Sequence, residues 1–367
     1  MGQKKPATRT FGILTSGGDC PGLNAAIRGV CKTAWARYGM NIIGVADGYR
    51  GLIEGDTRLL KPADFNGILT RGGTILGTSR EKPFKPDDPT ETDSKAGRIK
   101  PQKIIENYER LGMDCLVVLG GNGTHKTAWK LSEEGLNVIG LPKTIDNDIW
   151  GTDVTFGFHS AVDIATEAID RLHSTAHSHN RVMVIEIMGH KAGWLALYSG
   201  VAGGGDIILI PEIPYSIDNI VNHLFTRQSQ GKQFSIVAVA EGAMTAEEAA
   251  MSKEERKEFL KTRTHSVAYE VAAQIEQKSG LESRVTVLGY QQRGGIPSAY
   301  DRILATQFGT TAAELMAQGE YGEMVAMNGN RIGTLPLKDV AGKLKTVPAD
   351  HPMIQAARGV GTCFGDG

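Results

Sequence analysis

Residues 136–153, LNVIGLPKTIDNDIWGTD, read as a short apolar strand running into a polar turn that carries two carboxylates, Asp146 and Asp148, at i and i+2. Acids just beyond the carboxyl end of a strand stand where open α/β sheets bind ligands and carry out chemistry. Two further junctions share this layout. The run CLVVL leads into Gly120-Gly121-Asn122-Gly123-Thr124, and the run FGIL leads into Thr15-Ser16-Gly17-Gly18-Asp19. Small residues with bare backbone N–H groups between a strand and a helix accommodate phosphate. The three loops together point to phosphoryl transfer.

Outward from these loops, short apolar runs alternate with helical patterns. FGILT precedes a helix expected over 24–37, NIIGVA a polar stretch, CLVVLG a helix over 126–134, and LNVIGL a helix over 158–174. RVMVIEIM, DIILIPEI and FSIVAVAEG repeat the grammar in the second part. Strands apolar on both faces and separated by helices predict two α/β domains, each a doubly wound, Rossmann-like, mostly parallel sheet. A chain of 367 residues is long enough for two cores. Residues 80–101, REKPFKPDDPTETDSKAGRIKP, lack apolar periodicity and read as a long surface loop.

Composition excludes several classes. Lys+Arg 40 against Asp+Glu 41 leaves a net charge of −1, so no global basic field attracts nucleic acid or a membrane surface, and any anion site must be local. The four cysteines, Cys20, Cys31, Cys115 and Cys363, have no CxxC spacing, which argues against zinc and a disulfide framework and for reduced, packed thiols. The start, MGQKKPATRT, is basic without an apolar stretch and so is not a secretory signal, and Pro6 breaks the myristoylation pattern. No window approaches the ~20 apolar residues of a membrane span. A cytoplasmic protein is expected.

The segments LTSGGDCPGLNAAIRGV, GGTILGTSR, GGNGTHKTA, PKTIDND, SHNRVMVIEIMGHKAG and LGYQQRGGIPSAYDR resemble, in order and spacing, the phosphofructokinase family, from about Gly12 to about Leu315. The resemblance implies a kinase that phosphorylates the 1-hydroxyl of fructose 6-phosphate, with Mg²⁺ as the ion. It also implies a donor domain over 1–157 plus 293–345, a sugar-phosphate domain over 158–292 plus 346–367, and a homodimer or homotetramer with shared active sites. By the same resemblance Asp146 is the general base, Thr144 hydrogen-bonds the transferring phosphoryl, and Asp148 acts in the metal and phosphate environment. Arg80 bridges donor and acceptor phosphates, while Gly18, Gly121, Asn122, Gly123 and Thr124 line the donor site. Arg181, Arg284 and Arg293 hold the sugar's phosphate, the first two from a neighbouring subunit. Glu241, Met188, Gly189 and His190 contact the sugar, and Tyr290 donates to a phosphate.

The donor turns on Gly123 and Lys143. In the family an Asp at the first position obstructs a nucleotide's α-phosphate and goes with pyrophosphate, whereas Gly leaves room, so ATP is expected. Lys143 suits either donor and keeps pyrophosphate as the alternative. Two residues depart from the family pattern. Asn122 replaces an Asp beside the metal, where an amide oxygen is the weaker ligand, and His190 replaces the Arg of MGR, removing a permanent cation. These departures admit two rivals: a sugar-binding regulatory pseudokinase, and a kinase of another ketose phosphate such as sedoheptulose 7-phosphate.

Overall fold

The computed structural model describes residues 6–85, 96–263 and 265–367, and the chain forms two compact units. The first comprises Met1–Ile145, Ile149–Ser160 and Arg293–Leu344; the second comprises Asp146–Asp148, Ala161–Gln292 and Lys345–Gly367.

The first unit begins with β1 (Thr10–Thr15), α1 (Leu23–Tyr38), β2 (Asn41–Val45), α2 (Tyr49–Glu54), β3 (Thr57–Leu59), α3 (Ala96–Arg110), β4 (Cys115–Gly120), α4 (Asn122–Glu133) and β5 (Val138–Pro142). α5 (Phe158–His179) leads into the second unit, with β6 (Val182–Ile187), α6 (Trp194–Ala202), β7 (Ile207–Leu209), α7 (Ile217–Ser229), β8 (Ser235–Ala240), α8 (Ala246–Ala250), α9 (Lys253–Thr262), α10 (Val267–Ser279) and β9 (Ser283–Val287). The chain returns to the first unit through the 3₁₀ turn Gly289–Arg293 for α11 (Ala299–Gln318), β10 (Glu323–Asn328), β11 (Arg331–Pro336) and α12 (Leu337–Val340). α13 (Pro352–Gly359) lies in the tail, which joins the second unit as the backbone N–H of Ile208 donates to the carbonyl of Cys363 at 2.9 Å.

The sheet of the first unit has the order β11-β10-β5-β4-β1-β2-β3. Its five inner strands are parallel, and the edge strands β11 and β3 pair antiparallel. Every residue of β4 and β5 is buried, as a sheet covered on both faces requires. The direction of winding reverses between β1 and β4, which are neighbours in register Thr15↔Leu119. The loops that follow them therefore open on one crevice, the switch point where such sheets take ligands. α1 and α11 pack closely against each other, because a Cβ on Gly309 would lie 2.7 Å from the carbonyl of Ala26.

The second sheet, β7-β8-β6-β9, is entirely parallel, and all residues of β6 and β8 are buried. The expected α/β architecture with mostly parallel sheets is thus present in both units.

Three local expectations change. α4 starts at Asn122 with Gly121 as its N-cap, so the glycine loop is itself the first turn of the helix and not a connector ahead of a helix beginning at 126. The helix over 158–174 extends to His179. α3 begins at Ala96 and contains Pro101, so the end of the stretch read as a loop is helical. A proline inside a helix removes one backbone hydrogen bond, and the core contacts of fully buried Ile104 on the same helix offset that loss. Residues 86–95 of that stretch lie outside the described residues.

Candidate active site

In the first unit, the loop after β1 is tied to the loop carrying Arg80. The backbone N–H of Gly17 donates to the Ser79 carbonyl at 2.9 Å, Thr78 Oγ1 donates to the Gly17 carbonyl at 2.7 Å, and Ser79 Oγ donates to the Asp47 carbonyl at 2.6 Å. Gly17 takes a left-handed backbone, φ 87°, that a side chain would strain. Arg80 lines a cavity of about 440 Å³ with Arg50, Ser79, Glu81, Lys82, Lys85 and Lys100. Two of the five cations are paired, Lys100 with Glu81 at 2.8 Å and Arg50 with Asp47 at 2.5 Å, so the lining remains cationic in a chain of nearly zero net charge.

The start of α4 supplies backbone donors. Its N-cap is a glycine, no side chain caps it, and its first turn carries no acid, so no carboxylate of the helix competes for the initial N–H groups. A Cβ built on Gly123 would meet nothing within 4 Å, which leaves open space at this turn. Thr124 is buried, with Oγ1 3.5 Å from the Ser16 carbonyl.

Lys143 leaves β5 between these loops. Its backbone N–H donates to the Gly120 carbonyl at 3.0 Å, and its buried ammonium donates to the carbonyl of Gly18. Burial pushes the Cys20 thiol up to about 12 although Lys143 pulls it down, so this cysteine stays neutral. Arg293 Nη1 donates to the Asp19 carbonyl at 3.1 Å, and a Cβ on Gly18 would lie 2.9 Å from that nitrogen. Arg293 therefore belongs to the β1 loop. Thr144 is buried, and its carbonyl accepts from Thr155 Oγ1 at 2.7 Å.

Asp146–Asp148 fall in the second unit. Asn147 between them adopts a left-handed backbone, φ 51°, a conformation asparagine tolerates better than most residues, and it separates the two acids within one tight bend. Asp148 is buried and Asp146 half-buried, and the Asp148 carbonyl accepts from the Lys345 N–H at 2.9 Å.

At the carboxyl ends of β6 and β8 the structure brings Met188, Gly189, His190 and Glu241 together. Glu241 Oε1 accepts from the backbone N–H of Gly189 at 3.2 Å and of His190 at 2.7 Å. His190 has φ 54°, in the left-handed region that histidine enters more readily than most residues, and a Cβ on Gly242 would lie 2.2 Å from its carbonyl. Gln292, fully buried, accepts from Met188 N–H at 3.2 Å and donates to the Gly289 carbonyl at 3.1 Å. It ties this loop to the 3₁₀ turn on which Tyr290 stands 75 % exposed. Neither Gln292 nor the buried Tyr49 beside α4 and His125 within it stood out in the sequence, because no charge or spacing marks them.

Arg181 and Arg284 are not part of that group. Arg181 precedes β6, and Arg284 is the second residue of β9, paired in register with Met183. Both sit at the amino ends of their strands, about 20 Å of strand away from Met188 and Glu241. They bracket Glu282, which Arg181 meets at 2.8 Å, and hydrogen bonding from Arg181 holds the Glu282 carboxyl below its ordinary value.

A family model described as phosphofructokinase matches residues 10–316. An ATP-dependent 6-phosphofructokinase of Spirochaeta thermophila is 74% identical over 365 residues, covering 99% of this chain and 100% of that protein. ATP-dependent 6-phosphofructokinase 3 of Bacteroides thetaiotaomicron is 54% identical over 359 residues, covering 97% of this chain and 99% of its own. Among solved structures, a phosphofructokinase from Saccharomyces cerevisiae aligns with a TM-score of 0.77 at 32% identity, over 90% of this chain and 45% of that one. A pyrophosphate-dependent phosphofructokinase from Nitrosospira multiformis aligns with a TM-score of 0.80 over 93% of this chain and 86% of that one, and at 22% identity it speaks for the fold alone. With the family match running through both sheets, the chain belongs to the phosphofructokinase family.

Proposed function

We infer that the protein is an ATP-dependent 6-phosphofructokinase, which transfers the γ-phosphoryl group of ATP to the 1-hydroxyl of D-fructose 6-phosphate in the cytoplasmic reactions of glycolysis. The observation that carries the donor is the open space at Gly123 in the first turn of α4, where a nucleotide's α-phosphate has room. In this reading residues 1–157 plus 293–345 bind the donor, and residues 158–292 plus 346–367 bind the sugar phosphate.

Asp146 takes the proton as the 1-hydroxyl oxygen forms its bond to the γ-phosphorus, and ADP leaves with the electron pair of the broken bond. Thr144 donates to the transferring group, and Asp148 serves the metal and phosphate surroundings. Arg80, the backbone of Gly18 and Gly121–Thr124, and the Lys143 ammonium offset donor charge. Glu241, already fixed by two backbone donors, has lone pairs left for sugar hydroxyls, with Met188, Gly189 and His190 alongside. Tyr290 and Arg293 serve phosphate.

Mg²⁺ fits as a companion of ATP. The side-chain oxygens of Asn122, Asp146 and Asp148 are the hard donors that would hold the ion beside the donor phosphates. The bound ion supplies charge neutralisation on the donor phosphates.

The position of Arg181 and Arg284 at the amino ends of β6 and β9 supports a homodimer or homotetramer in which these two cations complete a neighbour's sugar-phosphate site, since within one unit they stand far from Glu241. A guanidinium fork suits that dianion.

A coupled assay for fructose 1,6-bisphosphate with ATP, GTP and pyrophosphate as donors tests the reading. ATP gives the highest rate. A higher rate with pyrophosphate overturns the donor, and turnover only with another ketose phosphate such as sedoheptulose 7-phosphate, or with none, overturns the acceptor.

A further inference from the structure

His125 occupies the fourth position of α4 and is fully buried beneath the donor turn. Its ring Nδ1 lies 2.9 Å from the carbonyl of Gly121, the same oxygen that accepts from its own backbone N–H at 3.1 Å. A carbonyl cannot donate, so the Nδ1 proton must be present and the neutral ring carries its lone pair on Nε2. Nε2 has no hydrogen-bond partner among the described residues. Space for that edge of the ring comes from Gly140 on β5, where a Cβ would lie 2.8 Å from Nε2. From the adjoining side, the hydroxyl of fully buried Tyr49 donates to the Thr124 carbonyl at 3.0 Å.

A buried imidazole with an unpartnered nitrogen is a poor choice for stability, and a leucine of similar volume would avoid the desolvation cost. What the imidazole adds is a second tether on the N-cap residue of a turn that carries glycine at 120, 121 and 123 and has wide conformational freedom. We propose that His125 is a positioning residue for the donor: its Nδ1–H, given to Gly121 from inside the core, holds the first turn of α4 in the arrangement that presents backbone N–H groups to the phosphates of ATP. Gly140 serves the same device by making room for the ring. The proposal rests on the reading of this turn as the donor site.

The test uses the full chain with His125→Leu, which removes the donor at similar volume, and His125→Asn, whose amide nitrogen reproduces the reach of Nδ1. ATP affinity is measured without sugar, alongside KM for ATP, KM for fructose 6-phosphate and Tm. His125→Leu weakens ATP binding roughly three- to ten-fold, the loss expected for one neutral hydrogen bond, leaves KM for fructose 6-phosphate within about two-fold, and does not lower Tm; His125→Asn regains most of the affinity. Parental ATP affinity in His125→Leu, or an equal loss in both variants, overturns the positioning role. Should the leucine variant not fold, the asparagine variant and the ¹⁵N-histidine spectrum of the parent decide, since a proton on Nε2 in place of Nδ1 also overturns it. A parent that binds no ATP overturns the donor-site reading itself, and the proposal with it.

Discussion

The carboxylate of Asp301, near the start of α11, accepts hydrogen bonds from both the backbone N–H of Ser160 at 2.7 Å and its hydroxyl at 2.6 Å, in the first turn of α5. A fully buried carboxyl group thus satisfies both donors that Ser160 offers at the start of α5.

Asp301→Ala leaves the Ser160 donors without that acceptor and lowers stability by about 2–4 kcal/mol, with Asp301→Asn losing less because its amide oxygen still accepts. Burial raises the Asp301 carboxyl above the ordinary range, against the opposing pull of Ser160. The native state therefore keeps a proton that the unfolded chain has released, and this contribution to stability falls as pH rises from about 4 through the raised value. Chemical denaturation at a series of pH values checks both points, and an alanine variant as stable as the parent would remove Asp301 from the account.

Asp146→Asn lowers kcat by ~10²-fold or more, the scale for losing a positioned general base, while binding of fructose 6-phosphate stays close to that of the parent. Turnover within a few-fold of the parent would assign the base elsewhere.

Gly123→Asp impairs ATP far more than pyrophosphate. The open space at this glycine would be filled by a carboxylate, which adds a clash and like-charge repulsion against an α-phosphate that pyrophosphate lacks. Equal losses with both donors would defeat the steric argument.

Asn122→Asp lowers the Mg²⁺ concentration giving half-maximal rate, because an anionic oxygen binds Mg²⁺ better than an amide oxygen. A titration at saturating ATP and fructose 6-phosphate reads the midpoint, and an unchanged midpoint would place Asn122 away from the ion.

Arg284→Ala and Asp146→Asn proteins, each nearly inactive, regain activity when mixed under subunit exchange, up to about a quarter of the parental rate for a two-fold dimer with one intact site per hybrid. No recovery on confirmed exchange would confine Arg284 to its own subunit.

Much of this was legible in the chain itself. Buried parallel strands such as CLVVLG and FSIVAVA are marked by composition alone, because a sheet covered on both faces admits only apolar residues. The glycine loops and the TIDND turn are equally visible, since phosphate needs bare backbone and acids need a turn. The edge strands β3, β9 and β11 were not: they are short, half-exposed or antiparallel. The register of β1 on β4 decides that two glycine loops share one crevice, and the pairing of Met183 with Arg284 decides that Arg181 and Arg284 stand at the far end of the strands from Glu241. His125, Tyr49 and Gln292 carry no sequence signal, because a buried hydrogen bond to a backbone carbonyl or N–H depends only on which atoms the packed core brings within 3 Å or so of each other. The sequence by itself determined which residue types line each strand end; only the tertiary structure decided which strand ends meet, since strand order follows from long-range pairing that local composition does not encode.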